Sequence, residues 1–287
     1  MPCQDNSPSG GQMYYDGRTA PIYIAWARRL KVAGTKIIIL ENSTEIKLIM
    51  IEFLFADEYD IHQLWVKTHD SGHSGVARFR TYLILNRRSA TACNFDPEQL
   101  YKIIADRITA AVQTSPRDYI CATTEEILLE AQEVARTRCI MFRPGCLDMT
   151  YLLNEREMSV VAGAEIAYFQ KFGQFAVNDE DLIVFLGDNL SYSLTWSATS
   201  NAIPTYRLST GKHWIMHLRR WMASPEKLLS LGFPIRPSVA HAMGVHVHLP
   251  IRDVKRADQL TGNCMHFSST AIVQLIALSC FCPRDRL

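Results

Sequence analysis

The chain has 287 residues, of which 48% are hydrophobic and 21% are charged, and its formal net charge is +1. This composition is that of a globular protein with one large domain or two modest ones. The near-zero charge excludes a basic field over the whole molecule, so any contact with nucleic acid must come from local groups of arginine and lysine. The sequence contains no uninterrupted apolar run of about 18 residues, so we expect no membrane span.

The opening stretch is the first predicted feature and reads as a tight loop that presents a thiol. Pro2 and the pair Gly10-Gly11 favour turns on either side of Cys3. A single cysteine is more often a small buried side chain than a nucleophile, so the loop gains meaning only from motifs further along the chain.

Residues up to about 86 alternate between helical and extended patterns. The predicted elements are a helix over 21–32 that stops at Gly34, a strand over 36–40, a helix over 44–55, and strands over 59–66 and 81–85. The aliphatic run Lys36–Leu40 is typical of a parallel strand that is buried on both faces. The alternation predicts an α/β sheet with helices packed on it.

From about residue 90 the pattern becomes mainly helical. Helices are predicted to begin at Asp96-Pro97, at Thr123 with a capping box to Glu126, and at Asn154, the last of these running to Gly173. Strands over 181–186 and 212–218, a short helix from 224, and an apolar helix over 265–281 come next. We expect this last helix to be buried, and we expect the tryptophans at 214 and 221 to belong to the core.

The eight cysteines form no Cys-x-x-Cys pair and no group with the spacing of a zinc site. Because no signal-peptide pattern is present, we expect reduced thiols and an intracellular location, nuclear if the organism is eukaryotic. His241, His246 and His248 have no cysteine or carboxylate at suitable spacing, so we expect no metal site.

Glu41-Asn42 directly follows the aliphatic strand. A polar pair at the carboxyl end of a buried parallel strand lies where open α/β sheets bind their ligands. Cys3 precedes a helix about one loop–helix–strand unit earlier, so its thiol and the Glu41 carboxylate can lie at the same sheet edge. The alternative is structural: Asn42 or Ser43 caps the next helix, and Glu41 is solvated.

Arg78 and Arg80 flank Phe79 just before a predicted strand. Alternate residues of an extended chain face the same side, so both guanidinium groups can converge on one anion. The alternative is an ordinary solvated face.

The order of these motifs resembles that of the cytosine-C5 DNA methyltransferases. The matching segments are Pro2-Cys3-Gln4 with Ser7, Glu41-Asn42 after an apolar strand, Arg78-x-Arg80 before a strand, Arg220 to Glu226 followed by Gly232-Phe233-Pro234, and Gly262-Asn263 before a C-terminal helix. Two positions depart from the family pattern, because Ser43 replaces a usual valine and Val76 replaces a usual glutamine.

The resemblance implies an α/β fold: a partial Rossmann-like methyltransferase sheet with a mainly helical insert. The implied domains are 1–86 as the catalytic part, 87–205 as the target-recognition insert, and 206–287 as the part that returns to the methyltransferase domain. In the family, the half that binds S-adenosylmethionine precedes the Pro-Cys segment, and the sequence given lacks it. We therefore expect the strand at Lys36–Leu40 to form an apolar sheet edge, and the helices to expose apolar faces.

The resemblance also implies a mechanism. Cys3 adds to C6 of a cytosine flipped out of duplex DNA, Glu41 binds the ring amino group and N3, Arg78 orients the ring, and Arg80 assists or holds a phosphate. Further substrate contacts implied by the resemblance are Pro2, Gln4, Ser7, Asn42 and Arg220. Contacts implied for the cofactor S-adenosylmethionine are Asn263, Gly262 and Ser43.

Three alternatives remain open at this point. The same thiol chemistry serves an RNA, such as tRNA, as well as it serves DNA. The chain can also be a non-catalytic nucleic-acid-binding or assembly module that kept the motifs by descent. A second chain can supply the missing cofactor half, and without that half we expect weak cofactor binding and little methyl transfer.

Overall fold

The computed structural model describes residues 5–6, 11–207, 212–245 and 254–286, and it shows a mixed α/β fold with small antiparallel sheets. Among these residues the helices are α1 (Ala20–Val32), α2 (Leu48–Phe55), α3 (Pro97–Ala111), α4 (Thr124–Arg138), α5 (Glu155–Phe172), α6 (Ser224–Ser230), α7 (Pro237–Ala242), α8 (Val254–Asn263) and α9 (Phe267–Cys280). The strands are β1 (Ile37–Asn42), β2 (Tyr59–Lys67), β3 (Phe79–Arg87), β4 (Thr91–Cys93), β5 (Ile183–Phe185), β6 (His213–Ile215), β7 (Arg220–Trp221) and β8 (Phe281–Pro283).

The chain divides into two compact units that interleave along the sequence. Unit 1 comprises Met1–Ser71, Phe79–Ala111 and Ser269–Leu287, and unit 2 comprises Gly72–Arg78 and Val112–Ser268. The predicted domains at 1–86, 87–205 and 206–287 were assigned by function, and they stay predictions.

The sheet of unit 1 has the strand order β1-β3-β2, with β3 antiparallel to both neighbours. In this register Ile39 lies opposite Ile84, and Gln63 lies opposite Leu83. The prediction of a parallel pairing for the aliphatic strand is therefore wrong, because β3 returns between β1 and β2 and separates the two strands that run in the same direction. No Rossmann-like parallel sheet is present among the described residues.

Helices cover both faces of this sheet, as the aliphatic character of β1 predicted. On one face Ile38 and Leu40 pack with Tyr23 of α1 and with residues of α2. On the other face Ile84 packs with α3 and α9. Alternate residues of β1 thus belong to two different apolar clusters.

Strands β4 and β8 form a separate antiparallel pair in unit 1.

Unit 2 is built around α4, α5 and the antiparallel sheet β5-β6-β7. Its core contains Trp214 and Trp221, whose ring centroids lie 6.3 Å apart, together with Val184. Both tryptophans are almost completely buried, which confirms that they are core residues.

The helix ends agree with the local signals in the sequence. The Thr123 side chain accepts from the Glu126 backbone N–H at 3.3 Å, and the Thr123 N–H donates to Glu126 Oε2 at 2.8 Å. Asn154 caps α5 in the same way, and that helix ends at Gly173 with φ of +68°. These contacts satisfy backbone groups that the first and last turns leave open.

Several helices of unit 1 expose apolar side chains, as expected of helices that lack neighbours. Phe53 of α2 is 82% exposed, and Leu275 and Leu278 of α9 are 62% and 75% exposed. The expectation that the C-terminal apolar helix is buried is thus confirmed for only one of its sides. In the part of the chain that the structure describes, no helix has the length and apolar character needed to cross a bilayer.

Candidate functional site

Two of the predicted catalytic residues lie together at the carboxyl end of β1. Arg80 Nε is 3.4 Å from Glu41 Oε1, and both side chains are partly buried. The strand register explains the contact: Glu41 lies opposite Tyr82. Arg80 is two residues before Tyr82 on β3, so all three side chains share one face of the sheet. The carboxylate is thus held beside a fixed positive charge.

Asn42 takes part in a hydrogen-bonded chain on the opposite face. Its Nδ2 donates to the Tyr23 hydroxyl at 2.7 Å, and Asn6 Nδ2 donates to the same hydroxyl at 3.1 Å. Tyr23 therefore ties the opening loop to the last residue of β1. Because all three residues are buried, each of these hydrogen bonds replaces water that the group has lost.

The structural alternative for Asn42 and Ser43 is wrong in its detail. Helix α2 begins at Leu48, and its N-cap is Lys47, so neither residue caps it. Asn42 Oδ1 instead accepts from the Ser43 backbone N–H at 2.9 Å. Ser43 thus serves the local turn after β1.

Asp5 anchors the loop a second time. Its Oδ2 accepts from the Thr19 backbone N–H at 2.7 Å and from the Thr19 hydroxyl at 2.6 Å. These hydrogen bonds, the one from the hydroxyl first, hold the pKa of the Asp5 carboxyl below its ordinary value. Gly17 leaves room for this contact, since a Cβ there would lie 2.2 Å from Asp5 Cγ. The loop is thus fixed against α1 at residues 5 and 6.

The other predicted residues of the loop cannot be placed in the same way. Pro2, Cys3, Gln4 and Ser7 lie outside the described residues. Their predicted roles stay predictions.

Arg78 belongs to unit 2, where it meets another of the predicted segments. Its Nη2 donates to the Cys264 backbone carbonyl at 2.8 Å. Cys264 directly follows Gly262 and Asn263, which end α8. The side chain of Asn263 lies outside the described part of the chain. The Arg78 side chain thus bonds to the backbone directly after the Gly262-Asn263 segment.

The predicted role of Arg220 in substrate binding needs correction. Its Nη1 and Nη2 donate to the two carboxylate oxygens of Glu226 at 2.8 and 2.7 Å. The two side chains are 4% and 0% exposed, so the pair is buried inside unit 2. Glu226 also accepts from the backbone N–H groups of Cys121 and Ala122. The guanidinium is committed to Glu226, which is a structural role.

A buried polar cluster in unit 2 was missed by the sequence analysis. His73 Nδ1 lies 3.0 Å from the Tyr119 hydroxyl, its Nε2 lies 3.1 Å from Ser268 Oγ, and its ring centroid is 4.6 Å from that of His266. Burial lowers the pKa of His73 to about 4. Burial, with the charge of His73 second, lowers the pKa of His266 to about 3. Both rings are therefore neutral at neutral pH, and the cluster joins the 72–78 segment to the start of α9.

Val76 occupies the position where the family pattern has a polar glutamine. It is buried, 3% exposed, and packs with Ile183 and Ile203 in the core of unit 2. The valine thus replaces a polar contact with an apolar one.

Within the described ranges, no three histidine, cysteine, aspartate or glutamate side chains are placed to hold a metal ion. His241 is exposed on α7, and His246 and His248 lie outside those ranges.

No family model matches the sequence, and a search of the curated proteins finds no match.

Proposed function

We propose that this chain is the catalytic-to-C-terminal part of a DNA cytosine-C5 methyltransferase, with its sheet a remnant of a Rossmann-like methyltransferase sheet. The observation that carries the proposal is the contact of Glu41 with Arg80 at the end of the strand to which Tyr23 ties the opening loop. Glu41 and Arg80, which belong to two motifs that are separate in the sequence, thus lie together at the carboxyl end of β1 in unit 1.

Covalent geometry supports a role for Cys3 at this place. Asn6 is fixed to Tyr23, and Cys3 is three residues away along the chain. Three residues span at most roughly 11 Å, so the chain keeps Cys3 within that distance of Asn6, whose Nδ2 shares the Tyr23 hydroxyl with Asn42 at the end of β1. A free thiol already provides a few per cent of thiolate at neutral pH.

The residue types suit addition to a cytosine ring. The Cys3 thiolate forms a bond to C6, and the electron pair of the C5–C6 double bond becomes available at C5. Glu41 binds the exocyclic amino group and N3, where negative charge develops, and Arg80 holds the carboxylate in place. Once C5 has gained a methyl group, which S-adenosylmethionine would supply when bound, loss of the C5 proton and expulsion of the Cys3 thiolate would restore the C5–C6 double bond. The target base must leave the duplex stack to reach the thiol.

Among the described residues, Ser43 and Gly262 do not fit S-adenosylmethionine. Ser43 gives its backbone N–H to Asn42, and Gly262 lies within the regular backbone of α8. Neither residue stands at a glycine-rich turn between a strand and a helix, which is where a nucleotide-like cofactor finds backbone donors. We therefore propose that a separate cofactor-binding half, or a second chain, binds S-adenosylmethionine.

A mechanism-based trap tests the proposal. The chain is joined to a cofactor-binding half and incubated with S-adenosylmethionine and a duplex that contains C5-fluorinated cytosine, and the covalent adduct is measured by denaturing electrophoresis. We expect an adduct that the Cys3→Ala variant does not form. Cys93→Ala is the matched control, because Cys93 is an exposed thiol on β4. An adduct that persists in Cys3→Ala, or binding without any adduct, would overturn the proposal.

The same trap separates the two polymers. A tRNA with the fluorinated base is tested beside the duplex, since the thiol chemistry does not depend on the sugar. Adduct formation on the tRNA alone would indicate an RNA methyltransferase instead of a DNA methyltransferase.

A further inference from the structure

Two aromatic side chains that touch each other are exposed at one end of the unit 1 sheet. Trp65 of β2 is 49% exposed, Phe79 of β3 is 41% exposed, and their ring centroids lie 5.7 Å apart. The register explains the contact: Trp65 lies opposite Thr81, and Phe79 is two residues before Thr81 on β3. Trp65 and Phe79, the aromatic pair, therefore stand on the same face of the sheet.

The helices on this face do not cover the aromatic pair. Helices α1 and α2 pack on Ile38, Leu40 and Leu83, whereas neither ring of the pair belongs to an apolar cluster of the described residues. An aromatic side chain removes about 150–250 Å² from water when it is fully buried. Two half-exposed rings in contact forgo much of that burial, and they offer a surface that fits a flat apolar partner.

The aromatic pair lies at the same end of the sheet as the proposed site. Strands β1 and β2 both run antiparallel to β3, so their carboxyl ends lie together beside the start of β3. Thr81 lies opposite both Trp65 and Asn42, the last residue of β1, so the pair is about two strand spacings, or about 10 Å, from the end of β1. A cofactor-binding half that extends the sheet at β1 would leave β2, the other edge strand, uncovered.

Lys67 adds a positive charge to this surface. Its Nζ lies 5.6 Å from the centroid of the Phe79 ring, within the range of a cation–π contact, and its side chain is exposed. The nearest carboxylate along the chain belongs to Asp70. It accepts from the Lys67 backbone N–H at 2.9 Å and from the Tyr101 hydroxyl at 2.6 Å, so it is committed to those two groups.

We propose that the aromatic pair and Lys67 bind an unpaired nucleotide of the nucleic-acid substrate. This inference rests on the proposed function, which makes a nucleic acid the substrate. The base stacks on the Trp65 ring, and the Lys67 ammonium pairs with a phosphate of the same strand. A nucleotide combines a flat π-face with an anion, which matches an exposed ring beside a cation.

The chemistry of stacking sets which nucleic acids this surface prefers. A base inside a duplex is already stacked on both faces, so the nucleotide that binds here belongs to a single strand or to a loop. Every base has a π-face, so stacking tolerates any sequence. We therefore expect the chain to bind a single-stranded oligonucleotide more tightly than the duplex of the same sequence.

Replacement of Trp65 tests the aromatic contact. Binding of a fluorescein-labelled single strand of about 12 nucleotides is measured by fluorescence anisotropy, with far-UV circular dichroism to confirm folding. We expect Trp65→Leu to raise the Kd about 5-fold to 150-fold, which is the contribution of one stacked base. Trp65→Phe keeps an aromatic ring and should stay close to the wild-type Kd.

Phe95→Leu is the matched control for the loss of an exposed ring. Phe95 is 63% exposed and follows β4, which comes after the opposite end of β3. We expect its Kd to equal that of the wild-type chain. An unchanged Kd in a folded Trp65→Leu, an equal loss in Trp65→Phe, or tighter binding of the duplex than of the single strand would overturn the proposal.

The dependence of binding on salt tests the role of Lys67. Each phosphate contact with a single strand contributes about 0.7 to the slope of log K against log salt concentration, so Lys67→Met should reduce that slope by about 0.7. Lys36→Met is the control, because Lys36 is exposed and precedes β1 at the opposite end of the sheet. Equal slopes for Lys67→Met and the wild-type chain would refute the phosphate contact.

Photochemical crosslinking makes the test on the wild-type chain, so it does not depend on the folding of a variant. A single strand that contains 5-iodouracil is bound and irradiated, and the crosslinked tryptic peptides are identified by mass spectrometry. We expect the base on the peptide of residues 48–67, at Trp65, and we expect excess unlabelled strand to abolish the product. Crosslinks confined to other peptides would contradict the proposal.

The nucleotide surface and the proposed function fail separately. A Cys3 adduct together with an unchanged Kd in Trp65→Leu contradicts the surface and leaves the function standing. A missing adduct together with binding that depends on Trp65 contradicts the function and leaves the surface standing, because stacking does not use the thiol.

Discussion

Tyr23 connects more of the proposed site than any other described side chain. Its hydroxyl accepts from Asn6 in the opening loop and from Asn42 at the end of β1, and its ring is buried. One phenol thereby sets the distance between the loop and the strand. The geometry of the proposed site depends on Tyr23, although Tyr23 takes no part in the proposed chemistry.

The Tyr23→Phe variant tests this connection. Removal of the hydroxyl leaves two buried amide groups without their acceptor, which costs about 1–3 kcal/mol. We expect a lower free energy of unfolding in urea and faster amide hydrogen exchange at residues 5 and 6. Tyr192→Phe is the control. Because Tyr192 is 88% exposed, we expect this variant to leave the free energy of unfolding and the exchange rates unchanged. Unchanged exchange at residues 5 and 6 in Tyr23→Phe would show that Tyr23 does not hold the loop.

The buried pair of Arg220 and Glu226 makes a second prediction. Arg220→Met keeps a long apolar side chain but leaves the Glu226 carboxylate buried without its cation. We expect a loss of about 3–5 kcal/mol in the free energy of unfolding, since breaking a buried pair on one side exposes the full desolvation cost. Arg136→Met is the control, because Arg136 pairs with Glu133 on the surface, where such pairs contribute about 0–1 kcal/mol. Equal effects of the two variants would contradict the structural role of Arg220.

Elements differ in how much of their structure the sequence could predict. The caps at Asp96, Thr123 and Asn154 were predicted because each depends on residues two or three positions away. The antiparallel pairing of β1 was not predicted. An aliphatic run indicates burial on both faces, but it does not indicate the direction of the neighbouring strand. The role of Arg220 was missed for a related reason: its burial is decided by tertiary packing around Glu226.

The histidine cluster shows the same limit at the level of segments. His73, Tyr119 and Ser268 are far apart in the sequence, and only the fold brings them within hydrogen-bonding distance. Glu41 and Arg80 were predicted to share a site from their motif order, and their contact is observed. That contact depends on the register of β1 and β3, which residue patterns alone could not supply.

The burial of His73 makes the free energy of unfolding dependent on pH. The pKa of an exposed histidine is 6.5, and burial lowers that of His73 to about 4 in the folded chain. Between these values the unfolded chain binds more protons, so the free energy of unfolding falls as the pH drops from 6.5 toward 4. Each such histidine contributes at most about 1.4 kcal/mol per pH unit. His266 acts in the same direction.

Urea unfolding at about pH 7 and about pH 5 measures this effect. We expect His73→Gln to show a smaller loss of stability at the lower pH than the wild-type chain, because glutamine keeps a hydrogen-bonding side chain that does not titrate. His241→Gln is the control, since His241 is exposed on α7. An identical pH dependence in His73→Gln and wild type would contradict the assignment.

At the scale of the molecule, the proposed function predicts what the isolated chain cannot do. Of the residues proposed to contact the cofactor, Ser43 gives its backbone N–H to Asn42 and Gly262 lies within α8, so neither stands at a glycine-rich turn between a strand and a helix. We expect isothermal titration calorimetry to detect no tight binding of S-adenosylmethionine, and methylation assays on the isolated chain to show little activity. We expect a cofactor-binding half, joined to the chain, to supply both. Tight binding by the isolated chain would contradict the proposal that the cofactor site lies elsewhere.

The interleaving of the two units has a consequence for synthesis. One face of the first sheet is covered by α3 and α9, yet everything from Val112 to His266 is translated between these two helices. A nascent chain must therefore carry the part of that face that α9 covers without its partner helix through much of its elongation. A chaperone that binds apolar strands would have the longest time to bind during this interval. A ribosome that stalls before α9 should release a product that is prone to aggregation.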